Sequence, residues 1–485
     1  MAVLHDTNTR PDADAYSNPN KEVSESPEED FDKPSEVEKR IRRKVDLRLC
    51  TIAGLLCSLN LLDSGIISSA AVTSMPQDLG LTGDRFSVSI FIFTVSSIIF
   101  QLPSTILVRI VGPRPFFATA TVCFGLITFC TAFIRTWRQM IALRVLLGIA
   151  MSGIYPGLTY LISTWYTRSE QQLRFAFLQC GQVLVLATGS IVNFGLNRLD
   201  GHTKFRGWQW MFMVQGAITI FFGILTYFWI VDFPEQSLNS LFFLTPEEAS
   251  QAVLRIQRDR KDAEAPEPLR FRSILVHFLD PKIYAFCALF FSMNIVSTAL
   301  SYFLPTILQS GMGFSTDKAI LLSAPPYYYS VIPVLFSSLV GDRYRLRGPI
   351  IIFNSLCLIV GFSMLGFPSQ VTVRYVGTYL ATGAYISNWA ALNAYQANNI
   401  TGQWKRATVA AAVAACNGLG CIAGSYIVRS TEAPSYITAI WVSIGSHILI
   451  ILIVSTCTII FWRANEKQKR FGKIIEGVVG FRYTY

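Results

Sequence analysis

The sequence predicts an all-α integral membrane protein of twelve transmembrane helices in two six-helix bundles, and three observations predict it. Of its 485 residues 52% are hydrophobic and only 15% charged, where an ordinary soluble domain carries about 25% charged residues. Apolar runs of about 18 to 26 residues, each long enough to cross a hydrocarbon core of roughly 30 Å, recur twelve times. Six of these runs precede one long polar stretch and six follow it.

Residues 1–44 are polar, acidic at first and rich in Ser, Pro and Asn, a composition that buries too little apolar surface to fold. They are expected to form a disordered cytoplasmic tail with no secretory leader. An N-terminal bundle over 45–232 holds spans at 47–72, 86–108, 115–133, 140–160, 174–196 and 210–231. A cytoplasmic linker over 233–282 follows, in which Thr245 and Pro246 read as a capped helix start before a charged amphipathic segment ending near Lys261. The C-terminal bundle, 283–462, holds spans at 283–308, 319–340, 349–367, 373–395, 408–428 and 436–462, and 463–485 is a basic cytoplasmic tail. Basic, turn-forming segments join spans two and three (Val108 to Pro115) and spans eight and nine (Val340 to Pro349). This weak internal repeat suits two parallel six-helix halves with binding where they meet.

Lys and Arg near span ends favour the side of both termini by about three to one, which places the termini in the cytosol. The formal charge of +10 is scattered through short loops rather than gathered on one soluble face, which argues against nucleic acid as a partner. Nearly all of the ten cysteines lie in apolar segments without a CxxC pair, and read as small buried hydrophobes rather than disulfides or metal ligands. Asn399-Ile-Thr matches a glycosylation acceptor but falls on the cytosolic side. No HExxH, Walker loop, Ser/His/Asp arrangement or Rossmann glycines are present, so neither an enzyme nor a cofactor is expected.

Arg144 is the residue that the chain must accommodate. A guanidinium in the first turns of the fourth span costs at least roughly 2.5 kcal/mol to insert, so it either snorkels to the headgroups or faces a polar cavity or an acidic partner. Gly148 and Gly153 follow it, removing side chains where another helix must approach closely, and that company favours the cavity. Asp63 in the first span is the economical partner, because a lone carboxylate in lipid is neutralised by protonation or pairing. The pair is then either a structural tie between two helices or a proton-coupling site. His447, alone on an apolar last span, reads as a packing residue. Gln182, Asn294, Asn388 and Asn393 recur in spans five, seven and ten, with Tyr302, Tyr327, Tyr328, Tyr329 and Ser387 nearby in sequence. Amides are costly against lipid, so they face either neighbouring helices or a water-filled cavity. Arg144, Gln182, Asn294, Asn388 and Asn393 are the candidate substrate-binding residues, in a cavity suited to an organic solute with several polar atoms.

These residues resemble a known family. Arg144, Gly148, Gly153, Pro156 and Gly157 are similar to the fourth-helix motif of the major facilitator superfamily. The order of Lys44-Val-Asp-Leu-Arg, Leu61-Leu-Asp, Asp78-Leu-Gly-Leu, Gln101-Leu-Pro-Ser, Gly157-Leu-Thr-Tyr, Gly207-Trp-Gln-Trp, Phe303-Leu-Pro-Thr, Ala324-Pro-Pro-Tyr, Asp342-Arg and Trp404-Lys-Arg-Ala resembles, more narrowly, the fungal allantoate permease group of anion:cation symporters. The resemblance implies two bundles of six helices, a plasma-membrane location, and proton-coupled symport of small organic anions or vitamins such as allantoate, pantothenate, nicotinate or biotin. It also implies a substrate-binding role for Gln182, which falls where relatives place a glutamine. Two positions depart from the pattern. Ser64 stands where many relatives carry an arginine expected to meet the substrate carboxylate, and Met151 where they carry an acid expected to hold the coupling proton. Loss of both keeps the cavity's charge balance, shifts any coupling to Asp63, and suits a less acidic solute.

The expected function is secondary-active transport of a small polar organic molecule or organic anion, with proton-coupled uptake by a monomer in the lipid bilayer of the cell surface. Export of a fungal secondary metabolite is the alternative, and a nutrient sensor that signals through its tails is a third reading.

Overall fold

Backbone amides find no water to bond within a hydrocarbon core, so a largely apolar chain satisfies them inside helices. The computed structural model describes residues 36–485 apart from 167, 203, 235, 237–242, 262–278, 345, 402, 473 and 477–480. The expected disorder of residues 1–35 lies outside that set. The first half runs through α1 (Glu36–Val45), a π-helical turn (Asp46–Cys50), α2 (Thr51–Ala70), α3 (Met75–Leu79), α4 (Arg85–Val111), α5 (Pro113–Thr131), α6 (Trp137–Met151), α7 (Ile154–Trp165), α8 (Arg168–Asn197) and α9 (Gly207–Trp229). A linker helix, α10 (Pro246–Lys261), precedes the second half. This consists of α11 (Pro281–Thr306), a π-helical turn (Ile307–Gly311), α12 (Thr316–Leu322), α13 (Ala324–Tyr344), α14 (Gly348–Gly366), α15 (Val371–Asn399), α16 (Gln403–Ile427) and α17 (Ile437–Phe471).

Among the described residues ten helices are long and apolar enough to cross a membrane, and α4, bent by 50° at Pro103, makes an eleventh. A proline ring removes one ladder bond and collides with the carbonyl one turn earlier, which accounts for the bend. The remaining span is α15. Its 29 residues are ample in length, but Arg374, Asn388, Asn393 and Gln396 dilute its apolarity. The fold is thus the two six-helix bundles that hydropathy predicts.

Three boundaries differ from the sequence expectation. Residues 36–44, assigned by composition to the disordered tail, form α1, because Lys44 donates to both carboxylate oxygens of Glu248 in α10 at 2.9 and 2.7 Å. The fourth span is interrupted between α6 and α7, where the Ser152 hydroxyl lies 2.7 Å from that of Ser104 in α4. Residues 463–471 extend α17 instead of beginning the tail. The linker helix does start where its capping signature places it. The Thr245 hydroxyl accepts from the Glu248 amide at 3.3 Å, and the Glu248 carboxylate accepts from the Thr245 amide at 3.1 Å. All ten cysteines are free, yet Cys123 and Cys130 on α5 are exposed. The expectation of burial fails for them because lipid tails accept an apolar side chain as readily as a protein core does.

The bundles meet along α2, α4 and α8 on one side and α11, α13 and α16 on the other. Bonds across this seam gather on the distal side, away from both termini. Gln309 donates to the Val72 carbonyl at 3.1 Å, Asn197 donates to the Asp317 carboxylate at 2.8 Å, and the Thr188 and Tyr328 hydroxyls are 2.8 Å apart. The Phe86 and Phe303 rings add an edge contact at 5.7 Å. Near the middle of the seam Ile98 of α4 lies over the bare backbone of Gly418 in α16, where an added Cβ would meet the Ile98 side chain.

Candidate functional site

A capping box starts α6: the Thr136 hydroxyl accepts from the Gln139 amide at 3.5 Å, and the Gln139 side chain accepts from the Thr136 amide at 3.2 Å. That fixed start places Arg144 two turns into the helix. One turn further, a Cβ on Gly148 would sit 2.5 Å from the Phe93 carbonyl oxygen of α4, and one on Gly153 would sit 2.6 Å from the Phe116 ring. Bare backbone at both positions lets α6 and α7 close onto α4 and α5, and the geometry turns Arg144 inward. Arg144 is 3% exposed and Asp63 2%, with Nη1 donating to Oδ2 at 2.8 Å. The snorkelling alternative does not describe this arginine. The other carboxylate oxygen, Asp63 Oδ1, is buried without a hydrogen-bond partner.

Tyr302 of α11 comes from the opposite bundle. It packs against apolar clusters of both halves and lies close enough to interact electrostatically with both Asp63 and Arg144. Also across the seam, the Thr94 hydroxyl of α4 lies 3.3 Å from the Cys421 thiol of α16. Gln182 of α8 is buried and lies beside Cys57 of α2. Six residues separate Cys57 from Asp63, so Gln182 reaches α2 ~9 Å along the helix from the charge pair.

The amides of the second half divide differently. Asn294 donates to the Asn417 carbonyl at 2.7 Å, joining α11 to α16. Asn388 is buried and donates to Ser355 of α14 at 2.9 Å, on a face turned from the seam. Asn393 is exposed and donates to the Trp389 carbonyl of its own helix at 2.8 Å. The structure therefore gathers Asp63, Arg144 and Tyr302 at the seam, ties Asn388 to α14 and leaves Asn393 exposed. Residue type alone marks an amide as costly in lipid without saying which neighbour it serves. His447 is buried with Nδ1 3.1 Å from the Ser443 carbonyl, as a packing residue would be. Ser64 bonds back to the Leu61 carbonyl at 2.6 Å, and Met151 sits in an apolar cluster with Leu147 and Ile154.

Sequence reasoning missed the distal tie between Asn197 and Asp317, because an acid in the first turn of a short helix reads locally as a cap. Removing it with Asp317→Ala is expected to open the distal side. The check is the rate at which a membrane-impermeant thiol reagent, added from that side, modifies Cys421, followed by mass spectrometry. An increase of about fivefold is expected from losing one charge-assisted bond.

Comparison with known proteins places this geometry. The family model described as Major Facilitator Superfamily matches residues 53–425. The chain is 29% identical over 458 residues to a protein of Penicillium expansum named MFS-type transporter cnsO, covering 92% of this chain and 87% of the relative. It is 28% identical over 437 residues to a Saccharomyces cerevisiae protein named High-affinity nicotinic acid transporter, covering 89% and 80%. Among solved structures, a partially occluded inward-open form of the xylose transporter XylE from E. coli superposes with a TM-score of 0.64 at 15% identity, covering 85% of this chain and 98% of that one. At that identity the likeness is one of fold.

Proposed function

We propose, from the premise that this chain belongs to the Major Facilitator Superfamily and is a multi-pass membrane transporter of a small molecule, that its solute is a polar organic molecule or organic anion taken up with protons across the plasma membrane. The observation that carries this reading is the Asp63–Arg144 pair. A buried carboxylate with one oxygen held by a guanidinium and the other unbonded is able to take a proton or meet a solute donor, and Tyr302 brings the second bundle to the same place. With no second buried acid at Met151, coupling falls to Asp63. Similarity to the nicotinic acid transporter supports placing the chain with the allantoate permease group, and supports a vitamin-like or carboxylate solute. The three-to-one basic asymmetry supports cytosolic termini. On that orientation the bonds at Val72, Asn197 and Thr188 lie on the outer side. The protein acts as a monomer in this reading, since each half finds its partner within the chain.

The test is flux of radiolabelled nicotinate into proteoliposomes under an imposed pH gradient. Accumulation driven by an inward proton gradient is expected, and indifference to the gradient argues against coupling. Export of a secondary metabolite is the second reading, favoured by Ser64 and Met151, whose side chains offer neither the anion-binding cation nor the second acid. Extrusion of a preloaded solute in the same vesicles selects it.

A further inference from the structure

We infer that the protein carries the same acid–base clasp twice, once at the foot of each bundle on the side of the termini, and that the second copy is a peptide-binding site filled by Glu476 and Tyr483 to Tyr485 of its own chain. In the first half the segment entering α2 supplies Lys44 and Asp46, α8 supplies Arg174, and the linker after α9 supplies Glu248. Lys44 meets Glu248 at 2.7 Å, and Arg174 holds Asp46 by two bonds, from Nε to Oδ1 at 3.0 Å and from Nη2 to Oδ2 at 2.9 Å. In the second half the segment entering α11 supplies Asp280 and Lys282, α16 supplies Lys405, and the segment after α17 supplies Glu476. Lys282 meets Glu476, and Lys405 reaches Asp280 at 2.5 Å and Glu476 at 2.7 Å. Both halves thus place a base and an acid at the foot of their first membrane helix, a base at the foot of the fifth, and an acid after the sixth. The base and acid on the first helix are in opposite order in the two halves, which hides the repeat from sequence comparison.

The second copy does more than the first. Tyr483 donates its hydroxyl to Glu476 at 2.7 Å and accepts from Lys282 at 2.9 Å, completing a ring. Asn465 of α17 donates to the Tyr483 carbonyl at 2.9 Å and accepts from its amide at 3.0 Å. Asn399 of α15 treats Thr484 in the same way, at 2.9 and 2.8 Å. The Tyr485 carbonyl accepts from the Arg347 amide at 3.0 Å, at the corner between α13 and α14, and the Tyr483 ring stacks on Phe461 at 4.4 Å. Side-chain amides that read both backbone groups of successive residues are a means of holding an extended peptide, while Glu476 and Tyr483 supply its identity. Helices α11, α15, α16 and α17 and the corner between α13 and α14 all touch these residues.

Burial opposes the charge on Glu476, but bonds from Lys282, Lys405 and Tyr483 outweigh it and bring the carboxyl to about 2. Lys405 and Lys282 likewise lower Asp280 against its burial. An unfolded glutamate titrates near ~4.3, so a carboxyl depressed below that value stabilises fully above it, and the contribution is lost only as pH falls toward the folded value. The clasp therefore holds throughout the neutral range and acts as a fixed tie. Its value to transport rests on the carrier reading, in which bundles rock as bodies; the binding site itself does not depend on that reading.

The test is hydrogen–deuterium exchange of the protein in nanodiscs, which needs no solute. A variant ending at Gly472 is expected to exchange about tenfold faster at the feet of α11, α15 and α16, with the distal ends unchanged. A synthetic peptide of residues 473–485 added in trans restores protection, and the same peptide with Glu476→Gln does so only at about tenfold higher concentration. Where the shortened variant fails to fold, Glu476→Gln in the full chain is read at the same three segments, with Glu476→Asp as the charge-keeping control that retains protection. Unchanged exchange in the folded variant, or equal rescue by both peptides, overturns the proposal.

Discussion

Arg144→Gln is expected to abolish transport, lowering flux by at least about a hundredfold, while some folded protein is still recovered. Breaking a buried ion pair by removing one partner leaves the other charge uncompensated, at a cost of about 3 to 5 kcal/mol. Asp63, 2% exposed and with Oδ1 already unbonded, is then left in the seam without its counter-charge, and the site that the proposed transport reading rests on is lost with it. Asp63→Asn is expected to be equally inactive for the opposite reason, a guanidinium 3% exposed with no counter-charge. The exchange Asp63→Arg with Arg144→Asp restores the pair across the same two helices and is expected to recover part of the flux. Radiolabelled uptake, normalised to monodisperse protein by size-exclusion chromatography, separates loss of function from loss of fold. Mild defects that are independent of one another would mean that the pair is not the centre of the mechanism.

Gly148→Val is expected to remove folded protein altogether. Its Cβ would lie 2.5 Å from the Phe93 carbonyl oxygen, 2.9 Å from Ser96 Cβ and 3.2 Å from the Ser97 amide nitrogen. Two of those atoms are backbone of α4 and have no rotamer to change, so α6 must shift as a body. Overpacking of this kind costs about 1 to 3 kcal/mol and more where backbone is struck, and the shift carries Arg144, one turn away, off its partner. Gly181→Ala on α8 is the control, since nothing lies within 4 Å of its added Cβ. It is expected to match the unaltered protein in thermal stability.

How much of this was legible beforehand follows from the range over which each interaction acts. Arg144 and Asp63 stood out because a charge in an apolar run has few ways to be satisfied, and two such charges of opposite sign nominate each other. The interval between span six and span seven was visible as a change of composition. For Asn388 and Asn393 the sequence left open which neighbour each amide meets, because only packing decides that one bonds to α14 and the other to its own helix. Helix α1 was read as tail since its partner Glu248 is 204 residues away. The clasp of Lys282, Lys405 and Glu476 stayed hidden for the same reason, with its members dispersed among ordinary basic loop residues.

The contact between Ile98 and Gly418 bears on how the molecule changes state. A hinge that must work repeatedly needs a bearing surface that carries load in either position and prefers neither. A hydrocarbon knob resting on a patch of side-chain-free backbone has that property, because dispersion forces have no direction and weaken little over a small roll. The Asn197 and Gln309 bonds lie at the rim, so tilting breaks those latches at the edge while the axle stays engaged.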